Sequence, residues 1–196
     1  IDESNFYPKL EPQGNEIVHV IGSQPSREIS RYYVTMLSAI RNAETSIWLS
    51  AAYFVPSHQE MEDLMAAARR GVDVRLLLPD QSDSPSAIAV AHSHYSDLLE
   101  AGVKIYETQG IVLHSKAVII DKVWSAVGSS NFDQRSVLYN DEVDAVVLGH
   151  QTATALGAMF DEDMRGAKPI DRATWKDRPL TDKMHEFFAR TWQNLL

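Results

Sequence analysis

The chain has 196 residues, the length of a single domain with a sizeable core, and its 44% hydrophobic and 23% charged residues are typical of a globular protein. It contains no cysteine, which excludes disulfides, thiolate metal sites and cysteine nucleophiles. The net charge of −9 argues against a nucleic-acid binder, whose surface is normally basic. The longest apolar stretch without a charge, residues 46–56, is shorter than the roughly 20 residues that a membrane-spanning helix needs.

The first part of the chain predicts an arm, a strand and a helix. Residues 1–15 contain two prolines and a glycine and show no hydrophobic period, so they predict an N-terminal arm or a linker. Residues 16–22 alternate between apolar and polar positions and predict a short strand. Ser26 is the predicted N-cap of a helix that runs to Asn42. The predicted buried stripe of this helix consists of Ile29, Tyr33, Met36 and Ile40.

Strands and helices alternate in the middle of the chain. Residues 45–55 are rich in β-branched and aromatic side chains and predict a central strand. Ser57 is the predicted N-cap of a second helix, with Glu60 in the position that completes a capping box. The elements predicted next are a strand at 72–78, a helix at 86–99 and a strand at 103–106. Such an alternation predicts an α/β sheet with helices packed on its faces.

From residue 111 onward the chain becomes rich in β-structure. Residues 116–120 and 123–127 predict a hairpin that turns at Asp121 and Lys122, and residues 142–148 predict a further strand. The remaining elements are predicted as a helix at 152–165, a loop at 174–179 and a last helix that begins at Thr181. The apolar stripe of the last helix is predicted to dock onto the core and consists of Met184, Phe187, Phe188, Trp192 and Leu195.

The segment from 111 to 144 carries the candidate chemistry. His114 and Lys116 are two residues apart, so on an extended strand both side chains point to the same face, with Ser115 behind them. Ser129 and Asn131 repeat this spacing on a second extended segment. An imidazole, a fixed cation, a hydroxyl and a carboxamide would then converge on one place. Such a set suits a tetrahedral, anionic, oxygen-rich group, and we interpret it as a phosphate site.

Each of these residue types has a chemical role at a phosphate. A histidine such as His114 can attack phosphorus as a nucleophile or protonate a leaving alcohol. Lys116 can neutralise charge on the phosphate oxygens, to which Ser129 and Asn131 can donate hydrogen bonds. Glu142 is the candidate that fixes the tautomer of His114 by accepting a hydrogen bond from its far ring nitrogen. None of these roles requires a metal. The alternatives are a coincidental His-x-Lys pair and a Gly-Ser-Ser-Asn run that only forms a turn.

Two further histidines and two aromatic residues are candidates for metal binding and for a lipid entrance. His92 and His94 could suggest a metal site, but they lack a clear third ligand and would point to different sides of a helix. We therefore predict no metal and no cofactor. Tyr53 and Phe54, which precede Pro56, could line a lipid entrance or pack in the core.

The spacing of the candidate site residues resembles a known signature. His114-x-Lys116-x4-Asp121-x6-Gly128-Ser129-x-Asn131 is similar to the motif of the phospholipase D superfamily. The resemblance implies a phospholipase D-like α-β-α sandwich, in which a mixed β-sheet is flanked by helices, and an active site in which two such motifs meet. It also implies a phosphohistidine intermediate and no metal. By this resemblance the four polar side chains of the phosphate site line the active site, with Glu142 as the partner of His114. Asp121 belongs to the signature and is a catalytic candidate, although an aspartate between an apolar run and Lys122 most often shapes a turn.

The resemblance extends over the chain from about residue 18 to its C-terminus. The runs that are similar to bacterial cardiolipin synthases are Tyr53–Pro56, Arg70–Pro79, Leu98–Glu107, Asp133-x-Arg135-Ser136 and Asn140-x-Glu142. They correspond to the second half of those two-lobed enzymes. The resemblance implies phosphatidyl transfer between two molecules of the anionic phospholipid phosphatidylglycerol, with release of glycerol, at the cytoplasmic membrane of a bacterium. Nucleic acid is not an expected partner.

One departure from the family leaves three hypotheses open, because the chain contains a single His-x-Lys motif. In the first, residues 16–196 are the second catalytic lobe of a lipid transferase, residues 1–15 are an arm or inter-lobe linker, and a first lobe supplies the other motif. In the second, two copies of the chain form a homodimeric phosphodiesterase, either a phospholipase D or a nuclease, across a twofold axis. In the third, the chain binds phospholipid without turnover.

Overall fold

The computed structural model describes residues 11–25 and 30–192 of the chain. The strands are β1 Ile17–Ser23, β2 Ser46–Ala51, β3 Phe54–Val55, β4 Asp73–Pro79, β5 Lys104–Thr108, β6 Lys116–Ile120, β7 Trp124–Gly128, β8 Phe132–Asp133, β9 Glu142–Leu148 and β10 Lys168–Pro169. The helices are α1 Arg31–Asn42, α2 His58–Arg69, α3 Pro85–Ala101, α4 Gln134–Leu138, α5 His150–Gly166, α6 Arg172–Lys176 and α7 Leu180–Trp192.

The main sheet has the strand order β1-β9-β7-β6-β2-β4-β5-β10. β2, β4 and β5 run parallel, because helices connect them, whereas β6, β7, β9 and β1 are antiparallel neighbours. The mixed sheet predicted from the sequence is therefore confirmed. This topology brings the ends of β2 and β7 to the same edge of the sheet as the starts of β6 and β9.

Helices cover both faces of the sheet and complete the α-β-α sandwich. On one face α1, α2 and α3 bury the larger core, to which Ile47, Leu49, Leu64, Leu76 and Tyr95 belong. α5 packs on the other face, where Phe160 stacks on Trp48 with ring centroids 5.7 Å apart. Because β2 and β4 are covered on both faces, their sequences read as nearly continuous apolar runs.

Two features predicted from short stretches of sequence, the capping box of α2 and the β6–β7 hairpin, are confirmed. The capping box of α2 is present: Ser57 Oγ accepts from the Glu60 backbone N–H at 3.2 Å, and Glu60 Oε2 accepts from the Ser57 N–H at 2.7 Å. The predicted hairpin joins β6 to β7 through residues 121–123, and the φ angles of Asp121 and Lys122, 51° and 55°, lie in the left-handed region that tight hairpin turns use.

Other boundaries differ from the prediction. The N-cap of α1 is Ser30, whose side chain accepts from the Tyr33 N–H at 3.3 Å, whereas Ser26 and Ile29 lie outside the described residues. The predicted strand at 45–55 breaks into β2 and β3, because β3 leaves the main sheet to pair with β8. The predicted loop at 174–179 begins inside α6, which Asp171 caps by accepting from two backbone N–H groups.

Two residues of the predicted apolar stripe of α7 are exposed. Met184 and Phe188 are 61% and 57% exposed, whereas Glu186 on the same helix is buried and forms an ion pair with Arg178. Glu186 can be buried because its charge is paired. Leu195 and the side chains of Phe187 and Trp192 lie outside the described part of the structure.

None of the helices described at 11–25 and 30–192 combines the length and the apolar character needed to cross a membrane.

Candidate active site

The candidate residues meet at the sheet edge where β2 and β7 end and where β6 and β9 begin. Lys116 opens β6 directly opposite Ala51, the last residue of β2. Ser129 and Asn131 follow β7, and Glu142 opens β9. Because the β6–β7 hairpin has arms of equal length, the residues before its first arm and after its second arm return to the same edge. Three of the four residues expected to converge, Lys116, Ser129 and Asn131, therefore lie at one edge of the sheet together with Glu142.

Glu142 is the centre of the hydrogen bonds at this edge. Its Oε2 accepts a short hydrogen bond from the hydroxyl of Ser129, and its Oε1 accepts from the side-chain amide of Asn140 at 3.1 Å. Ser129 Oγ in turn accepts from the Val143 N–H at 3.0 Å. Both carboxylate oxygens are thus engaged by groups from the two segments that flank β9.

Lys116 lies between acidic neighbours. Its side chain is half-buried, and its Nζ donates to the backbone carbonyl of His114 at 3.0 Å. Burial lowers the pKa of Lys116, while the carboxylates of Glu142 and Asp133 act in the opposite direction. Within the described residues the ammonium group is held by its own loop and forms no direct ion pair, so its charge is available to an anionic ligand.

His114 is exposed at the front of the edge, in the segment that precedes β6. The hydroxyl of Ser115 bonds that of Ser50 in β2, so Ser115 points away from its two neighbours as the alternation predicted. Within the described residues the His114 ring makes no hydrogen bond, and Glu142 accepts from Ser129 and Asn140. The pairing of Glu142 with His114 stays a prediction.

The Gly128–Asn131 run is shaped by Asp144. A Cβ atom on Gly128 would lie 2.1 Å from Asp144 Oδ1 and 2.5 Å from the carbonyl oxygen of Val143, so only glycine allows this approach. Ser130 Oγ donates to Asp144 Oδ2 at 2.6 Å, and burial raises the pKa of Asp144. The run is therefore more than a turn. It is fixed from behind, and Ser129 and Asn131 lie on either side of the anchored Ser130.

Asn131 contributes to the site and to a neighbouring cavity. Its backbone N–H donates to Ser136 Oγ at 3.0 Å, and its buried side-chain oxygen has no hydrogen-bond partner in the described part of the chain. The cavity has a volume of about 310 Å³ and is lined by Tyr53, Val55, Ser84, Ala87, Asn131, Asp133, Arg135 and Asn140. Tyr53 lines this cavity and also packs against the small cluster of Val55, Ala87 and Val90, so the lipid entrance stays a prediction. Asp133 and Arg135 appeared in the sequence only within runs that resemble a family, and no spacing rule singled them out.

Asp121 is at the opposite edge of the sheet, so its inclusion among the catalytic candidates needs correction. Its carboxylate accepts from the backbone N–H groups of Glu44, Thr45 and Ser46 at 2.7 to 2.9 Å and from the Thr45 hydroxyl at 2.8 Å. Burial raises its pKa, but these hydrogen bonds outweigh burial and the net shift is downward. Asp121 ties the β6–β7 hairpin to the start of β2.

His92 and His94 both lie on α3 and contribute to the packing around this helix. His92 Nε2 bonds Glu107 at 2.8 Å and its ring contacts Tyr95 and Trp175, while His94 is buried. In residues 11–25 and 30–192 there is no group of three or more histidine, cysteine, aspartate or glutamate side chains that could hold a metal ion.

Comparisons with known proteins agree with this geometry. The family described as "Cardiolipin synthase, PLD-like domain" matches residues 36–164. A cardiolipin synthase from Geobacillus sp. (strain WCH70) is 37% identical over 182 residues, which are 91% of this chain and 36% of that protein. The chain thus spans less than two-fifths of the length of this curated relative.

Two solved structures share the fold. Nuc from Salmonella typhimurium, described as a phospholipase D family member, is 26% identical with a TM-score of 0.68, and the match covers 80% of this chain and 99% of Nuc. The phosphatidylserine synthase from Haemophilus influenzae has a TM-score of 0.68 at 12% identity, covering 95% of this chain and 47% of that structure. At that identity the second likeness concerns the fold alone.

Proposed function

Because this chain belongs to the cardiolipin synthase family of phospholipase D-like domains, we propose that it is the second catalytic lobe of a phosphatidyltransferase. The enzyme joins two phosphatidylglycerol molecules into cardiolipin and releases glycerol. The observation that carries the proposal is the sheet edge at which Lys116, Ser129 and Glu142 gather behind an exposed His114. In this proposal residues 16–196 form the lobe and residues 1–15 link it to what precedes it.

The reaction proceeds in two displacements at phosphorus. In the first, a histidine nitrogen attacks phosphorus; the P–N bond forms as the P–O bond to glycerol breaks, and a second histidine gives its proton to the departing glycerol oxygen. In the second, a hydroxyl oxygen of another phosphatidylglycerol attacks the same phosphorus, its proton passes to the second histidine, and the P–N bond breaks. His114 supplies one of these two imidazoles.

The other residues of the edge stabilise the charge that develops on the phosphoryl oxygens. Lys116 provides the fixed positive charge, and the side-chain amide of Asn131 provides hydrogen-bond donors. Glu142 holds Ser129 in place and keeps a negative charge beside Lys116, which favours the protonated ammonium. None of these roles needs a metal or a cofactor.

A second phospholipase D-like lobe completes the site. The chain holds one His-x-Lys motif, spans 36% of the Geobacillus relative, and exposes His114 at its surface. A valine face, defined here as Val18, Val20, Val127 and Val143, adjoins the site. Three of these residues, Val18, Val20 and Val143, are more than half exposed. Val20 and Val127 both pair with Ala145 on β9, and Val143 follows Glu142. An exposed apolar sheet surface that ends at a half-built active site fits a partner lobe.

The test uses vesicles of phosphatidylglycerol and measures cardiolipin, phosphatidic acid and glycerol. Two proteins are compared: this chain alone, and a chimaera in which the chain replaces the matching 182-residue segment of the Geobacillus relative. Cardiolipin and glycerol in equal amounts from the chimaera, abolished by His114→Ala, are the expected result. Phosphatidic acid as the main product would identify a hydrolase, and a folded chimaera without product would exclude turnover by this lobe.

A homodimeric phosphodiesterase is the second candidate. It is favoured by the match to Nuc, which covers 99% of that protein, so one lobe of this size is the whole of a known family member. In this case the chain alone would cleave phosphodiesters as a dimer, and the chimaera would add nothing.

A further inference from the structure

The 310 Å³ cavity lies beside the proposed phosphate site and is built from four segments of the chain. Tyr53 and Val55 come from the β2–β3 connection and β3, Ala87 from the first turn of α3, Asp133 and Arg135 from β8 and α4, and Asn140 from the turn before β9. Asn131 belongs both to the lining of this cavity and to the proposed phosphate site. A group attached to a phosphate at that site would therefore extend into this cavity.

The walls present hydrogen-bonding oxygens together with a small apolar surface. Tyr53 donates its hydroxyl hydrogen to Asp83 at 2.6 Å, and Ser82 donates to the same oxygen at 3.1 Å. These hydrogen bonds lower the pKa of Asp83, and the charge of His114 acts in the same direction. Val55 and Ala87, both buried, supply the apolar part. Such a lining suits a short carbon chain that carries hydroxyl groups.

An arginine at the cavity is free to bind an anion. Arg135 is exposed, and within the described residues its guanidinium takes part in no ion pair. Asp133, two residues earlier, is buried, and its Oδ1 is engaged by the Ser136 N–H at 2.7 Å. An unpaired guanidinium is well suited to a phosphodiester, to which it can donate two parallel hydrogen bonds.

We infer that this cavity is the alcohol subsite of the reaction, which holds the glycerol headgroup of phosphatidylglycerol while Arg135 binds the phosphodiester of the incoming lipid. The inference rests on the proposed function and names the place of the leaving and the attacking alcohol. Glycerol departs from phosphorus into the cavity with the proton from the second histidine. The headgroup of the next lipid then enters, and its terminal hydroxyl attacks phosphorus as its proton returns to that histidine.

An ammonium headgroup is the competing occupant, because Asp83 and Asp133 would attract a positive charge. Arg135 at the same cavity opposes it, and one tyrosine does not form the aromatic cage that binds quaternary ammonium groups. A headgroup with hydroxyls and a net negative charge is therefore favoured over ethanolamine or choline.

The test is a calorimetric titration of the chain with glycerophosphoglycerol, the soluble headgroup of phosphatidylglycerol. Arg135→Ala is expected to weaken binding about fivefold to tenfold, because it removes a charge-assisted contact. Arg69→Ala is the matched control, since Arg69 is an exposed arginine on α2 outside the cavity, and it should bind as the unaltered chain does. Glycerophosphoethanolamine is expected to bind at least about fivefold more weakly than glycerophosphoglycerol.

Three results would overturn the subsite: no binding of glycerophosphoglycerol, equal or tighter binding of glycerophosphoethanolamine, or an Arg135→Ala variant that binds like the control. The proposed function is tested separately by product formation in the chimaera. If the chimaera makes cardiolipin but one of these three binding results is obtained, the alcohol binds elsewhere and the subsite is wrong. If the chain binds the headgroup as expected but the chimaera makes no product, the subsite is supported and the proposed function is wrong.

Discussion

The hydroxyl of Ser129 donates to the carboxylate of Glu142, which joins the residue that follows β7 to the first residue of β9. The same carboxylate acts on Lys116, whose pKa it raises against the effect of burial. In the proposed phosphate site Glu142 therefore positions Ser129 and favours the charged form of Lys116. This relationship gives the first prediction.

Glu142→Gln is expected to lower kcat about a hundredfold, because it weakens both the positioning of Ser129 and the charge of Lys116. Removal of the carboxylate also lowers the pKa of Lys116 further, so the alkaline limb of the pH–rate profile should move to lower pH. The measurement is kcat against pH for the chimaera. Glu62→Gln, at an exposed position on α2, is the control. If the alkaline limb of the profile did not move in the Glu142 variant, the ionisation of Lys116 would not control kcat.

His114→Ala is expected to reduce turnover at least about a thousandfold without changing the fold. The reason is that the side chain is exposed and makes no hydrogen bond within the described residues, so it contributes little to stability. Product formation and thermal unfolding by circular dichroism measure the two effects. The matched control is His58→Ala, since His58 is 88% exposed on α2. A His114 variant that unfolds would contradict the catalytic assignment.

Much of the fold was predictable, because its signals are local. The capping box at Ser57, the strand beginning at Glu142 and the hairpin at Asp121 each depend on a few neighbouring residues. The sequence does not show which of several polar groups a carboxylate will choose, so the hydrogen bonds that Glu142 accepts from Ser129 and Asn140 were not predicted. The burial of Glu186 on α7 was not predictable either, because it depends on the ion pair with Arg178.

Asp121→Ala is expected to reduce the free energy of unfolding by about 2–4 kcal/mol, because four donors from residues 44–46 lose their acceptor. Urea denaturation measures the change. The kcat per folded molecule should stay the same, since Asp121 lies at the edge opposite the site. Asp163→Ala, at an exposed position of α5, controls for the loss of a surface carboxylate. A stable variant with low kcat would return Asp121 to the catalytic residues.

Val20→Lys is expected to weaken the association with the second lobe about tenfold or more, because a charge would be buried in the apolar contact. Cardiolipin synthesis by the chimaera and its resistance to proteolysis at the lobe junction are the measurements. Val34→Lys is the matched control, since Val34 on α1 is 53% exposed on the opposite face of the sheet and Val20 is 63% exposed. Equal behaviour of the two variants would remove the valine face from the interface.

Glu60→Gln is expected to change the pH dependence of stability. Burial raises the pKa of Glu60 from 4.5 to about 7, and one of its oxygens is buried without a hydrogen-bond partner in the described part of the chain. A raised pKa means that the folded state binds the proton more tightly, so the stabilisation is complete below pH 4.5 and is lost as pH rises through about 7. The loss is at most about 3–4 kcal/mol, at roughly 1.4 kcal/mol per pKa unit.

Glutamine keeps an acceptor for the Ser57 N–H but does not ionise, so the Glu60→Gln variant should have a higher Tm than the unaltered chain at pH 8 and a similar Tm at pH 5. Asp133 and Asp144 also have raised pKa values, but they are common to both proteins and cancel in the difference between them. Glu62→Gln, an exposed neighbour on the same helix, should leave the Tm difference near zero at both pH values. Parallel Tm curves for the unaltered chain and the Glu60 variant would mean that Glu60 ionises as readily in the folded state as in the unfolded state, with water reaching the back of the site.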